Sequence, residues 1–214
     1  MFGRQLARDL LSRARTHLSM EEYPEALIGL RESMAIRTRI TDIDPDPARL
    51  LEREKGRIML AQALWGDKQF EQGLKEAVDA ANHLQRLVTE NPKYTEAVRD
   101  QGLATLSVMQ FALMPDAKIT IDEASYRTLF TISVNNAAKL VQLDPSAANW
   151  EMHLDFIELR AKGLTGINRN DAIADYRLMS QKANEFAALY PDLARVFVAR
   201  SAYHLTKLQA PEVD

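Results

Sequence analysis

Apolar residues recur along the chain with the three- and four-residue spacing of amphipathic helices. Between positions 74 and 88 they are Leu74, Ala77, Val78, Ala81, Leu84, Leu87 and Val88. Residues spaced in this way lie on one face of an α-helix. No segment alternates as a strand would, and Ile119-Thr120-Ile121 is the only β-like stretch. The pattern therefore predicts an all-α protein.

The pattern and its interruptions predict nine helices. They run over residues about 4–19, 22–41, 47–65, 69–89, 92–114, 122–143, 146–163, 170–189 and 191–208. Turns are predicted at Met20-Glu21, at Gly66-Asp67, over residues 115–121, and from Gly166 to Asn170.

Prolines mark a repeat along the chain. They are Pro45, Pro92, Pro145 and Pro191, with spacings of 47 (92 − 45), 53 (145 − 92) and 46 (191 − 145) residues. A spacing in this range is typical of helical repeat arrays. Proline cannot continue a helix but suits the start of a new one. We therefore expect helix pairs joined at these prolines, with Asp46, Asn91 and Asp144 as N-caps of the helices that follow.

Small and aromatic residues keep the same register. Ala14 and Ala61 each lie 31 residues before a joint proline, since 45 − 14 and 92 − 61 are equal. Ala26 and Gly73 likewise lie 19 residues before, and Tyr23 and Phe70 lie 22 residues before. Small residues allow two helices to approach closely where they cross. We interpret these positions as packing residues of successive helix pairs.

The stretch EALIGLRESMAIRTRITDIDPDPARLLEREKGRIML, residues 25–60, resembles the long tetratricopeptide-type repeats of bacterial proteins. The residues that carry the likeness are Ala26-Leu27, the run from Arg31 to Arg37, and Asp44-Pro45, with a second copy at Asp144-Pro145 and Asn149-Trp150. The family implies a right-handed superhelix (α-solenoid) of about four antiparallel helix hairpins with a C-terminal capping helix. One repeat domain, residues 1–214, would then comprise units 4–44, 45–91, 92–144 and 145–190 and the cap 191–208.

The resemblance also implies a binding function. In such arrays the first helix of each pair lines a concave face, which binds peptides or protein surfaces. In bacteria, long repeats of this kind resemble the C-terminal portions of larger signalling or defence proteins. The expectation for this chain is a non-enzymatic scaffold or sensor module with a protein or peptide partner in the groove.

Composition argues against several other classes of protein. The formal net charge is −3 and the pI about 5.9, so the basic excess typical of nucleic-acid binders is missing. The chain has no cysteine, which excludes disulfides and thiolate chemistry and suits a reducing cytoplasm. No apolar run approaches the roughly 20 residues of a membrane helix, and the N-terminal residues do not form a signal peptide. We therefore expect a cytoplasmic protein that binds neither nucleic acid nor membrane.

Catalytic, cofactor and metal motifs are missing from the sequence. The four histidines, His17, His83, His153 and His204, have no pair at the spacing of helical metal ligands. No glycine-rich phosphate loop and no serine nucleophile elbow occurs. Arginines 53 and 57 alternate with Glu52 and Glu54, which we interpret as ion-paired helix surface, with Glu54 exposed. The sequence predicts no catalytic residue, cofactor or metal.

Helical spacing on the first helix of each pair suggests a binding set. The candidates for protein or peptide binding are Arg15, Met59, Gln62, Trp65, Met109, Glu158 and Lys162. Methionine adapts to varied partners and tryptophan is a favoured anchor at interfaces. The alternative for Trp65 is that it only packs at the end of its helix, beside Gly66.

Two other functions stay open from sequence. A homo-oligomeric structural protein could assemble through its end helices, because repeat arrays need capped ends and the last helix carries many apolar residues. An all-helical enzyme with an unrecognised site is the third reading. Light scattering distinguishes a homo-oligomer from a monomeric binding module. A pocket with converging polar groups would favour the enzyme.

Overall fold

The computed structural model describes residues 2–112 and 123–209, which form nine α-helices joined by short turns, with no strand among them. The helices are α1 (Phe2–Ser19), α2 (Tyr23–Ile43), α3 (Pro47–Gly66), α4 (Phe70–Glu90), α5 (Thr95–Ala112), α6 (Glu123–Leu143), α7 (Ala147–Thr165), α8 (Arg169–Ala187) and α9 (Pro191–Gln209). The predicted all-α class and helix order are confirmed. The predicted turn over 115–121 and its β-like Ile-Thr-Ile lie outside the described residues.

Helix α5 begins three residues later than predicted, at Thr95, and Asn91 caps the C-terminal end of α4. Its backbone N–H donates to the Leu87 carbonyl at 2.9 Å, and its side-chain amide donates to the same oxygen at 3.2 Å. Asn91 therefore ends α4, and its prediction as an N-cap was wrong. An asparagine amide can both donate and accept, so the residue type alone does not tell which helix end it serves.

The other two predicted caps have different outcomes. Asp46 is the N-cap of α3, and its carboxylate accepts a hydrogen bond from the backbone N–H of Ala48 at 2.9 Å. The N-cap of α7 is Ser146 rather than Asp144. The Asp144 carboxylate instead accepts hydrogen bonds from the Ser146 hydroxyl at 3.2 Å and the Asn149 amide at 2.9 Å. Its prediction as a cap was wrong, but it still holds the joint before α7.

The chain forms two compact units, residues 1–121 and 122–214. In the first, α1 to α5 pack each against the next, and the first helices α1, α3 and α5 also contact one another in sequence. In the second, α6 to α9 pack consecutively. The boundary falls within the predicted hairpin 92–144, so a single repeat domain with that pairing stays a prediction.

Small residues occupy helix crossings in the first unit, as the repeat register predicted. Ala14, Ala26 and Ala61 are fully buried. A Cβ atom added to Gly73 would lie 2.4 Å from the Phe111 ring and 3.2 Å from the Ala61 carbonyl oxygen. Even one methyl group is therefore too large at Gly73, and the Phe111 ring of α5 occupies the space that the glycine leaves.

The turns inside the first two helix pairs repeat the same backbone conformation. Glu21 and Lys68 lie 47 residues apart (68 − 21) and have positive φ angles of 59° and 61°. In each turn the next N–H donates to a carbonyl five residues earlier, Glu22 to His17 at 2.9 Å and Gln69 to Leu64 at 2.8 Å. This is the Schellman ending of a helix, in which glycine is the preferred residue.

Replacing Lys68 by glycine should raise the free energy of unfolding by about 0.5–1 kcal/mol, because glycine removes the Cβ strain of a left-handed residue. The matched control is Lys75→Gly, at an exposed position inside α4, which should cost about 1 kcal/mol through lost helix propensity. Urea denaturation of both variants checks the pair. A loss of stability in Lys68→Gly would show that the turn does not hold this conformation in solution.

Ring contacts link consecutive helices of the second unit. Tyr176, Phe186 and Phe130 are fully buried. The Trp150 ring stacks on Phe186 at a centroid distance of 5.7 Å, and Tyr176 stacks on His204 at 4.7 Å. Because Phe186 lies on α8, Trp150 on α7 and His204 on α9, these contacts join three consecutive helices of the unit.

Glu54 is buried, with 1% of its surface exposed, so its interpretation as an exposed residue was wrong. It lies on the same face of α3 as the buried residues Leu51, Ile58 and Ala61. Its carboxylate pairs with the Arg53 Nε at 2.6 Å and the Arg57 Nη1 at 3.4 Å. The ion pairing was predicted, but the cluster lies inside the helix interface rather than on a solvated face.

Within the described part of the chain, no helix combines the length and the apolar character needed to cross a membrane.

Candidate binding cleft

A cleft of about 550 Å³ opens between the first helices of the first unit. We call it the α1/α3/α5 cleft. It is lined by Arg15, Leu18 and Ser19 from α1, by Lys55, Ile58, Met59 and Gln62 from α3, and by Asp100 and Leu103 from α5. The three helices meet here because the alternate helices of the repeat lie on one side of the unit.

The floor of the cleft is apolar. Ile58 is 4% exposed, and Leu18, Met59 and Leu103 are half-buried. Leu18 and Met59 pack against the buried core cluster that α1, α2 and α3 share. The floor is thus held by the core on one side and faces the cleft on the other. Such a surface suits an apolar side chain, and the unbranched methionine can adapt to its shape.

A lysine links α3 to α5 at one side of the cleft. The Lys55 ammonium lies 3.0 Å from the Glu96 carboxylate and 3.5 Å from that of Asp100. Burial would lower the pKa of Lys55, but the hydrogen bond to Glu96 and the charges of both carboxylates raise it overall. Burial raises the pKa of Asp100, and the nearby Lys55 opposes that change. This side of the cleft therefore already contains a paired cation.

Arg15 forms the opposite side. It is exposed, and its guanidinium lies 4.0 Å from the Met59 sulfur, which is a weak acceptor. None of the ion pairs described for the chain involves Arg15. The charge of Arg15 is therefore available to a partner at the edge of an apolar floor.

The structure brings together three of the seven predicted binding residues, namely Arg15, Met59 and Gln62. Trp65 lies outside the lining of the cleft. It is half-buried at the end of α3, and its ring lies 5.9 Å from that of Phe111. The side chain of Met109 lies outside the described residues.

The remaining two predicted residues, Glu158 and Lys162, lie in the second unit. Glu158 is buried and accepts hydrogen bonds from Lys162 at 2.7 Å and from Arg200 of α9 at 3.0 Å. Burial raises the pKa of Glu158, but these hydrogen bonds outweigh it and lower the pKa. The arrangement attaches α9 to α7, which is a packing contact.

Sequence reasoning did not select Leu18, Ser19, Ile58, Asp100 and Leu103 as binding residues. A signal was present for two of them, since Leu18 and Ser19 follow Arg15 by three and four residues and so share its helix face. Asp100 and Leu103 share a face of α5 in the same way. The helical period does not predict which face of α5 packs against α3, because the third unit is longer than the others and departs from the repeat spacing.

The described residues contain no cluster of three or more histidine, aspartate or glutamate side chains able to hold a metal ion. The buried His153 is one of the isolated histidines. Its Nδ1 has no hydrogen-bond partner, and burial lowers the pKa of His153 to about 4. The imidazole is therefore neutral at pH 7 and packs beside Trp150.

Comparison with known proteins adds little to the geometry. No family model and no curated protein matches the sequence. Among solved structures, the chain is similar to the crystal structure of a de novo designed helical repeat protein, with 16% sequence identity over 97% of this chain and 91% of that chain and a TM-score of 0.33. A TM-score this low carries no argument, so the all-α helical repeat fold rests on the helices and their consecutive packing.

Proposed function

We propose that the chain is a non-enzymatic helical repeat module that binds a peptide or protein segment in the α1/α3/α5 cleft. The observation that carries the proposal is the cleft itself, which has an apolar floor and charged sides formed by α1, α3 and α5. Pockets of this size and character suit a few anchoring side chains of a partner.

The charges of the cleft suggest the chemistry of the partner. Lys55 is already held by Glu96 and Asp100, whereas Arg15 has only the weak Met59 contact. An apolar side chain would fill the floor, and a neighbouring carboxylate would bind Arg15. We therefore propose a segment in which an apolar residue stands close to an acidic one.

Peptide selection on the full chain tests this proposal. Random peptides displayed on phage should be enriched for an apolar residue next to Asp or Glu. Met59→Lys should weaken binding of the selected peptides by at least tenfold, because it places a charge on the apolar floor. Arg15→Glu should weaken them by a similar factor, whereas Arg13→Glu, an exposed change on the same helix outside the cleft lining, should not.

Trp65→Ala distinguishes a packing role of Trp65 from a role in peptide binding. The same experiment includes this variant. Because Trp65 packs on Phe111 and does not line the cleft, the change should lower stability while leaving peptide affinity nearly unchanged. The proposed site is refuted if the selected peptides bind the Met59 and Arg15 variants as tightly as the parent chain.

A second candidate function is self-association through α9. Leu193, Val196 and Tyr203 are exposed on that helix, at 42%, 50% and 56% of their surface. Exposed apolar residues on an end helix of a repeat array favour contact with another copy. Light scattering on the purified chain distinguishes a stable oligomer from a monomer.

The broader biological role rests on the tetratricopeptide-type resemblance of residues 25–60. On that basis we propose a scaffold or the sensing part of a bacterial signalling or defence system, acting in the cytoplasm. The missing cysteine and the mild negative charge are compatible with that compartment.

A further inference from the structure

A small cavity lies in the first unit where the N-terminal ends of α1 and α3 meet the C-terminal end of α2. Its volume is about 20 Å³, and it opens to solvent. The lining residues are Arg4, Ala7, Arg37, Ile40, Thr41, Arg49 and Glu52. None of them lines the α1/α3/α5 cleft. We call this cavity the arginine pocket.

The lining of the arginine pocket is positively charged. Three arginines face one glutamate, which leaves a formal charge of +2 (3 − 1) in a chain whose net charge is −3. Two further groups nearby, Arg8 and Asp44, cancel each other. The carboxylate of Asp46 is engaged outside the lining, on the backbone N–H of Ala48.

The glutamate is shared between two arginines. One Glu52 oxygen lies 3.3 Å from the Arg8 Nη2, and the other lies 3.1 Å from the Arg37 Nη1. Arg49 pairs with Asp44. None of the described ion pairs supplies a carboxylate to Arg4, which is exposed at the first turn of α1. The pocket thus contains more guanidinium groups than carboxylates to pair with them.

Arg37 is the buried arginine of the pocket. Only 6% of its surface is exposed, and its Nε donates to the Ser33 hydroxyl at 3.3 Å. Its Nη1 donates to the main-chain oxygen of Glu52 at 3.1 Å as well as to the shared carboxylate. Burial lowers the pKa of Arg37, although the Glu52 charge opposes the change. Arg37 is thus paired and hydrogen-bonded, as a buried cation must be, and Arg4 is the lining arginine that takes part in none of the described ion pairs.

We propose that the arginine pocket binds an oxyanion of the phosphate class, either free phosphate or a phosphate group carried by a larger molecule. Arginine presents planar N–H pairs that match phosphate oxygens. The enclosed volume admits about one oxygen atom, so the rest of the group would lie at the opening, next to Arg4 and Arg49. The site is independent of the peptide cleft.

Titration of the full chain with inorganic phosphate tests this proposal, at constant ionic strength maintained with chloride. Calorimetry should show saturable binding of one phosphate per chain. Arg4→Ala should weaken it at least tenfold. The matched control is Arg13→Ala, because both arginines are exposed on α1 and both variants lose one positive charge, yet Arg13 does not line the pocket. The control should keep the affinity within twofold.

Glu52→Gln provides an independent arm, because it removes the carboxylate that competes with the anion. Phosphate should bind this variant severalfold more tightly than the parent chain. O-phosphoserine then distinguishes the source: affinity equal to or above that of phosphate indicates a phosphate group on a larger molecule, and weaker affinity indicates the free ion. The proposal is overturned if phosphate does not saturate, if both arginine variants lose affinity equally, or if Glu52→Gln binds less tightly.

Discussion

Glu54→Ala should lower the free energy of unfolding by about 3–5 kcal/mol, the usual cost of removing one partner from a buried ion pair. The Glu54 carboxylate accepts from Arg53 and lies 3.4 Å from both the Arg57 Nη1 and the His83 Nδ1. Its removal would leave two largely buried guanidinium groups, 14% and 16% exposed, without their central anion. Glu76 can still pair with Arg57 at 3.1 Å, which sets the lower part of the range.

The matched control is Glu32→Ala, at an exposed position on α2. It removes the same side chain and charge from a helix and should change stability by no more than about 0.5 kcal/mol. Urea denaturation measures both variants, with equal m-values required for the comparison. Equal midpoints for the two variants would show that the Glu54 cluster does not contribute in solution.

Acidification should destabilise the second unit through His153. Burial, with a smaller effect from the Lys182 charge, lowers the pKa of this imidazole from 6.5 to about 4, and Glu185 opposes the change while Arg160 adds to it. Between pH 6.5 and about pH 4 the imidazole is therefore protonated in the unfolded state but neutral in the folded state. Stability is unaffected above about pH 6.5 and falls as the pH decreases toward 4, by about 3 kcal/mol in total.

His153→Leu isolates this contribution, because leucine fills a similar volume and cannot bind a proton. The free energy of unfolding of the parent chain should fall between pH 7 and pH 4 by about 3 kcal/mol more than that of the variant. Taking the difference removes the titration of other groups, among them Asp155, whose pKa burial raises. Parallel pH profiles would mean that water reaches His153 in the folded state.

Local signals explain why the helices could be predicted. Hydrophobic period, proline and turn residues act within a few positions of the chain, so α3 and α9 begin at the predicted proline-marked joints. The repeat register also predicted buried small residues, because the same helix crossing recurs with the same spacing. Asn91 shows where this information ends, since its side chain can serve either neighbouring helix.

Glu54 shows a second limit. Its charge led to the prediction that it is exposed, although it shares a helix face with the buried Leu51 and Ile58. The charge is tolerated inside because Arg57 on α3 and His83 on α4 surround it. His83 lies 29 residues away (83 − 54), and only the packing of α3 on α4 brings the two together.

The sequence by itself determined the all-α class, the helix order, the joints and the residues that pack at the crossings, because each depends on short-range periodicity. Tertiary structure decided which faces remain available. It directs Trp65 onto Phe111, shares Glu52 between Arg8 and Arg37, and joins Met59 with Arg15 in one cleft. These residues lie on helices separated by tens of positions, and no local pattern encodes the distance between their side chains.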